Sequence, residues 1–438
     1  MLDGLEVTII GAMGAVLADP HTLALSPAQI GAIGSFYIGG AVTGALAFGW
    51  LTDRFGRRRM FFITLGFYLA GVALSAFAWN MASLAAFRML TGLGIGGEYA
   101  AVNSAVDELM PARLRGRIGL AVNGTYWLGA ALGAGATIFL LNPALLPVNL
   151  GWRLGFGVGA ILGCGVFLLR RFIPESPRWL LTHGHEVAAE TAMREIETRA
   201  GEPAVPGLKQ MALQPRKSFG LGLIIPVLFR KYPSRTLLVF LLMSSQAFLY
   251  NALFFTYALM LTKFYDVAPG KAGYYLLPLA AGNFFGPLLL GPLFDIIGRR
   301  IMLATTYGLA GLLLMGTGYL FLRGAFDATT QTCAWSAIFF VASAAASAAY
   351  LTASEVFPLE MRAMAIALFY AVGTAAGGIV APLLFGRLIG SGRPGAICAG
   401  YGFAGALMVA AALLAVWLGV DAERKSLEDV AAPLSVVE

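Results

Sequence analysis

The chain has 438 residues, of which 58% are hydrophobic and only 12% charged, and its mean hydropathy is +0.77. About a quarter of the residues of a soluble domain are charged, so this composition excludes a soluble enzyme and places the chain in a lipid bilayer. The formal charge of +7 does not imply nucleic acid, because the basic residues cluster in turns beside apolar runs. Cys164, Cys333 and Cys398 have no CxxC spacing and no neighbouring His, so neither zinc nor a disulfide framework is expected.

A helix needs about 20 apolar residues to cross a bilayer. Windows of that length predict twelve spans, at 1–19, 28–52, 59–79, 82–110, 117–141, 152–172, 236–262, 272–295, 300–322, 332–357, 363–389 and 395–420. The first begins almost at Met1 and reads as a span, not a cleavable signal peptide. Most of the 30 basic residues fall in the loops after even-numbered spans, in the central loop or in the tail. The exceptions are Arg88, Arg153, Lys263, Lys271, Arg323, Arg387 and Arg393. This bias places both termini in the cytoplasm of a plasma (inner) membrane protein.

The stretch Gly49-Trp-Leu-Thr-Asp-Arg-Phe-Gly-Arg-Arg-Arg-Met60 occurs again as Gly291-Pro-Leu-Phe-Asp-Ile-Ile-Gly-Arg-Arg-Ile-Met302. Each copy is a short basic turn between spans. Its aspartate (Asp53 or Asp295) suits the positive N-terminal end of a neighbouring helix or an arginine such as Arg57 or Arg299. Glu108-Leu-Met-Pro111 with Arg115 likewise matches Glu355-Val-Phe-Pro358 with Arg362, at nearly the same offset. The chain is therefore read as two six-helix halves, 1–172 and 236–420. They are joined by a linker, 173–235, and followed by a tail, 421–438. Glu186 to Arg199 is expected to form a surface helix, and Pro203, Pro206 and Pro215 a flexible connector.

Asp3 and Glu6 stand three apart in the first span, on adjacent parts of one helical face. Charged side chains inside a span are costly and usually face a cavity or a partner. Burial disfavours an ionised carboxylate and a nearby arginine favours it, so a carboxylate that gains and loses such a partner loads and releases a proton. Arg88, inside the fourth span, is the natural partner. The alternative is that the carboxylates only mark the wet end of the span. The series Gly92, Gly94, Gly96 and Gly97 lies within a span and reads as close helix packing, not a phosphate loop.

With both basic turns, Pro174-Glu-Ser-Pro-Arg178 and Ser354-Glu-Val-Phe-Pro-Leu-Glu-Met-Arg362, the sequence resembles the major facilitator superfamily. It is most similar to the sugar-porter branch and its metabolite:proton and organic-ion relatives. Gly4-Leu-Glu-Val-Thr-Ile-Ile-Gly11 is similar to the first-span motif of proton-coupled sugar porters, with Glu6 at their Asp. Asp3-Gly-Leu-Glu6 resembles the Asp-Gly-aromatic-Asp motif of aromatic-acid symporters. Leu5 replaces the aromatic of both, and relatives carry several residues before the motif, so a short or truncated start is expected. Arg88-Met-Leu-Thr-Gly-Leu-Gly-Ile-Gly-Gly-Glu98 resembles the fourth-span motif of the superfamily. Ser245-Gln-Ala-Phe-Leu-Tyr-Asn251 resembles the Gln-Gln-x-x-Gly-x-Asn motif of sugar porters, and Ala422-Glu-Arg-Lys-Ser-Leu-Glu-Asp429 their tail motif.

The resemblance implies an all-α fold of twelve transmembrane helices in two pseudo-repeated halves, with the site between them. It assigns substrate binding to Asn123, Gln246, Asn251, Asn283 and Tyr350, since amides both donate and accept and an aromatic face packs a sugar ring. Any one of these amides could instead make an interhelical hydrogen bond. Tyr126, Trp127, Phe254 and Phe255 add aromatic surface suited to a flatter solute. Proton coupling falls to Glu6, Asp3 and Arg88. Gating falls to Asp53, Arg57, Glu108, Arg115, Asp295, Arg299, Glu355 and Arg362. His21, His183 and His185 read as loop residues without chemistry.

The expected function is proton-coupled import of a sugar, polyol or similar small metabolite by alternating access, by a protein able to act as a monomer. Organic acids, multidrug efflux and a solute receptor are the alternatives. No catalytic constellation, cofactor motif or metal cluster is present in the sequence, so enzymatic activity is not expected.

Overall fold

The computed structural model describes residues 1–17, 19–25, 27–110, 114–141, 145–170, 175–200, 221–254, 257–267 and 272–434. Among them there are helices and no strands. The first set is α1 (Leu2–Leu17), α2 (Pro27–Phe55), α3 (Arg57–Ala76), α4 (Met81–Leu109), α5 (Arg115–Leu140) and α6 (Val148–Arg170). Three shorter helices follow: α7 (Pro177–Thr182), α8 (Glu186–Ala200) and α9 (Leu221–Pro226). The second set is α10 (Pro233–Phe254), α11 (Tyr257–Tyr265), α12 (Ala272–Ile296), α13 (Arg299–Leu322), α14 (Ala328–Glu355), α15 (Arg362–Gly390) and α16 (Pro394–Leu418). A last short helix, α17 (Leu427–Val430), lies in the tail.

Among the described residues, α2, α3, α6, α10, α12, α13, α14 and α16 each hold a stretch long and apolar enough to cross a bilayer on its own. The other four spans, α1, α4, α5 and α15, complete a twelve-helix integral membrane fold. In α1 length sets the difference, with 16 residues, and in α4 charge does, with Arg88, Glu98, Asp107 and Glu108. The expected seventh span, 236–262, is helical over Pro233–Phe254 (α10) and Tyr257–Tyr265 (α11), with residues 255–256 outside the described set. Pro203, Pro206 and Pro215 also lie outside the described residues.

Each half has its own apolar core. One is built around Leu5, Ile9, Tyr68, Val72, Trp152 and Phe156, the other around Leu242, Tyr307, Trp335, Phe339, Phe385 and Tyr401. The halves meet where α5 packs on α12 and α15 packs on α2, with α4 and α14 beside them. These are equivalent pairings, since α5 and α15 hold corresponding places in the two repeats, as do α2 and α12. In α4, a Cβ on Gly92 or Gly96 would strike the α2 backbone at Tyr37 and Ala41. Without side chains at these points the two helices approach to backbone contact.

The two basic turns share one construction. Gly56 and Gly298 have φ of 93° and 116°, values that glycine reaches without a Cβ clash, and each precedes a helix with no side-chain cap of its own. A glutamate from elsewhere supplies the missing acceptor. Glu175 accepts the backbone N–H of Arg57 at 2.9 Å and of Arg58 at 3.2 Å. Glu423 accepts that of Arg299 at 3.3 Å. Negative charge at a helix N-terminus satisfies orphan amides and the helix dipole together. The Pro-Glu-Ser-Pro-Arg stretch and the tail motif thus perform equivalent work in the two halves.

Candidate functional site

The end of the bundle carrying the basic turns is held by contacts that cross between the halves. Asp53, at the close of α2, accepts the backbone N–H of Met364 at 2.9 Å, in the first turn of α15. Asp295, at the close of α12, accepts that of Arg117 at 2.8 Å, in the first turn of α5. Each aspartate also meets an arginine one turn on, Asp53 with Arg57 at 3.4 Å and Asp295 with Arg299 at 2.8 Å. The two partners that the sequence offered as alternatives, a helix end and an arginine, are both used. Arg299 further grips Glu355 through Nε and Nη2 at 3.0 and 3.1 Å, a bidentate geometry. Arg362 is fully buried at the same end. The side chains of Glu108 and Arg115 lie outside the described residues.

The linker and tail close over this end. Trp179 donates its indole N–H to the carbonyl of Asp53 at 3.0 Å, and Arg178 meets Glu428 at 2.6 Å. Arg235 donates to the carbonyls of Val356 and Val430, and Glu360 accepts the N–H of Leu434. Burial pushes the Glu175 carboxyl up, against the pull of the Ser176, Arg57 and Arg58 amides and the Arg57 charge. At Glu428 burial also works upward, but Arg178 outweighs it and the carboxyl lies below its ordinary value. His183 stacks on Trp179 and the His185 ring lies 6.3 Å from the same indole, packing roles; His21 sits in a turn.

Deeper in the first half, Glu6 is 0% and Arg88 1% exposed. Arg88 Nη1 donates to Glu6 Oε2 at 3.0 Å, and its guanidinium lies over the rings of Tyr37 and Phe156 at 4.8 and 5.6 Å. Gly159 on α6 makes the room, because a Cβ there would collide with Glu6 Oε1. Among the described residues Glu6 Oε1, Arg88 Nε and the Tyr68 hydroxyl are buried without a hydrogen-bond partner. An ion pair with unsatisfied atoms on both members is held less firmly than a fully bonded one. Asp3 does not join this pair. Its two oxygens accept from Tyr37 at 2.6 Å and Tyr99 at 2.8 Å.

The amides divide into engaged and open groups. Asn283 is fully buried, donating to the Leu279 carbonyl at 2.9 Å and accepting from the Tyr250 hydroxyl at 2.6 Å. Asn123 Nδ2 donates to Gly119 at 3.0 Å and Asn251 Nδ2 to Ala247 at 2.7 Å, each carbonyl one turn back on the same helix. The Asn251 carbonyl oxygen and both amide atoms of Gln246 carry no hydrogen bond among the described residues, and none is fully buried. Trp127 stacks on Tyr250 at 5.8 Å, with Tyr126 and Phe339 against the pair. Tyr350 stacks with Tyr99 at 5.7 Å. The Phe254 side chain and all of Phe255 lie outside the described residues.

Tyr37, Tyr99, Tyr250 and Phe339 touch these candidate residues and were not among those that the sequence singled out. A signal existed: a tyrosine inside a span brings a hydroxyl that needs a partner when buried.

Residues 12–432 match the family described as sugar (and other) transporter. The chain belongs to that family. It is 28% identical to the niacin transporter NiaP of Acinetobacter baylyi, over 98% of this chain and 93% of that protein. It is 30% identical to myo-inositol transporter 2 of Schizosaccharomyces pombe, over 83% of this chain and 68% of that one. The fold matches the major facilitator proton:xylose symporter XylE bound to 6-bromo-6-deoxy-D-glucose, with a TM-score of 0.81 at 20% identity, over 98% of this chain and 95% of that one. The protein is a multi-pass membrane transporter of the major facilitator fold, not an enzyme.

Proposed function

We propose that this transporter couples entry of a proton to import of a sugar, polyol or similar small polar metabolite by alternating access. The carrying observation is the buried Glu6–Arg88 pair at 3.0 Å. A carboxylate with no exposure and one unbonded oxygen binds a proton when conformational change draws the arginine away, and releases it when the arginine returns. Asn123, Gln246, Asn251 and Asn283 then supply donors and acceptors, and Trp127, Tyr126 and Tyr350 the ring contacts. The open atoms of Gln246 and Asn251 are the hydrogen-bonding groups left for a solute. Asp53, Arg57, Asp295, Arg299, Glu355 and Arg362, with Glu108 and Arg115 at the matching places of the first half, form the latch at the basic end.

In this reading the halves are 1–172 and 236–420, the linker 173–235 and the tail 421–438. The arginine-rich turns face the cytoplasm of a plasma membrane, both termini lie there, and one chain is a complete unit. The test is uptake into proteoliposomes with an internal pH dye, offering sugars, polyols and organic acids one at a time.

A second reading is transport of an aromatic organic acid. It is favoured by the aromatic weight of the site, where Tyr126, Trp127, Tyr250 and Phe339 pack together, and by the full-length likeness to a niacin transporter. The same solute screen separates the two readings. Binding without uptake would indicate a receptor, and transport of large apolar cations an efflux pump.

A further inference from the structure

We infer that Tyr99 is a positioning residue that ties the charge of Asp3 to closure of the passage at the basic end. Its hydroxyl donates to Asp3 Oδ2 at 2.8 Å. Its ring stacks against Tyr350 at 5.7 Å and Tyr370 at 5.1 Å, with interplanar angles of 20° in both cases. Tyr350 and Tyr370 are themselves 6.3 Å apart. One side chain thus joins a carboxylate of the first half to two rings of the second. All three rings lie on the basic-end side of the midpoints of α4, α14 and α15, directly inward of the Asp53–Met364 and Asp295–Arg117 contacts.

The tyrosine cluster is a gate, and Asp3 is its latch. To open this end, α14 and α15 must leave α4, which separates Tyr99 from Tyr350 and Tyr370. A hydrogen bond to an ionised carboxylate is roughly twice as strong as one to a neutral group. Ionised Asp3, held from its other side by Tyr37 at 2.6 Å, fixes the Tyr99 ring in the stack, and a neutral side chain at position 3 frees it to turn away. The other groups that feel the Asp3 charge are Tyr68 of α3, Tyr126 of α5, Tyr350 of α14, Tyr370 of α15, Glu6 of its own helix and the Met1 amine; the Arg88 guanidinium is engaged by Glu6. Asp3 therefore acts on conformation, whereas Glu6 carries the proton.

The inference rests on the alternating-access reading above. The test is the distance between spin labels at the exposed positions 59 and 301, introduced as Arg59→Cys and Ile301→Cys after replacing Cys164, Cys333 and Cys398 with serine, in full-length protein in lipid nanodiscs. The parent should populate a short and a long distance. Asp3→Asn and the conservative Tyr99→Phe should each lower the short-to-long ratio about tenfold, and the double variant should lower it no further than either alone. An unchanged ratio in either single variant, or independent effects in the double, overturns the gate while leaving alternating access intact. One distance in the parent under every solute and pH gradient overturns both.

Discussion

The Asp53 carboxylate of the first half holds the backbone N–H of Met364 in the second at 2.9 Å. The reverse contact, Asp295 to Arg117, measures 2.8 Å. The two aspartates sit at matching places in the repeated basic turns and cap matching helices, α15 and α5, so one device is built twice in opposite directions. Each cap joins an anion to the positive end of a helix dipole, and each must break for the basic end to open.

Asp53→Asn and Asp295→Asn keep an acceptor oxygen and lose the charge. Each is expected to disfavour the closed basic end by about 0.5–1 kcal/mol, a several-fold shift toward the long distance between the labels at 59 and 301. Because both act on one equilibrium, the double variant should show the product of the single effects. A shift in one variant only would contradict the equivalence of the two turns.

Glu175→Ala and Glu423→Ala should each cost about 1 kcal/mol, the usual consequence of removing a helix cap. Thermal unfolding in detergent, followed by tryptophan fluorescence, reads this as a lower transition temperature for both. A stable Glu175→Ala protein would mean that the Arg57 and Arg58 amides find another acceptor.

The Arg178–Glu428 contact ties the linker to the tail and depends on pH. The Glu428 carboxyl lies below its ordinary value of 4.5. Its contribution is therefore complete above about pH 4.5 and is lost as pH falls through the lowered value. Both side chains are a quarter exposed, so the effect is modest. Hydrogen exchange of residues 427–431 should be pH-invariant, after correction for intrinsic rates, from 5 to 7 and should rise in Glu428→Gln at every pH. Identical exchange in variant and parent would remove the contact from the tail's stability.

Gln246→Ala and Trp127→Ala should both raise KM for the transported solute, the first about five- to tenfold through loss of a hydrogen bond. For Trp127 the rise should be larger, because the ring also supports Tyr250 and Phe339. Unchanged KM in Gln246→Ala would take this amide out of the solute site.

What could be read from the sequence depended on how conspicuous a residue is in an apolar chain. Glu6 and Arg88 stand out because charge inside a span demands a partner, and here they are each other's partner. The basic turns stand out because they recur. Tyr37 and Tyr99 stand out less, since a neutral hydroxyl announces its need of a partner more weakly than a charge does. Tyr37 and Tyr99 meet Asp3 across separations of 34 and 96 residues, which no local pattern reports. The amides were visible as residues but not as orientations, so only the structure separates Asn283, engaged on both sides, from Gln246, left open. Glu175 and Glu423 were recognisable as parts of motifs, yet their common capping role required seeing both turns at once.

Proteoliposome uptake with an internal pH dye asks most directly whether the Glu6–Arg88 pair carries the coupling proton. Solute addition to the parent should acidify the lumen, and Glu6→Gln should abolish that acidification while still binding and exchanging solute. Solute uptake by the parent with no proton movement, or acidification by Glu6→Gln equal to the parent's, would take the coupling proton away from this pair.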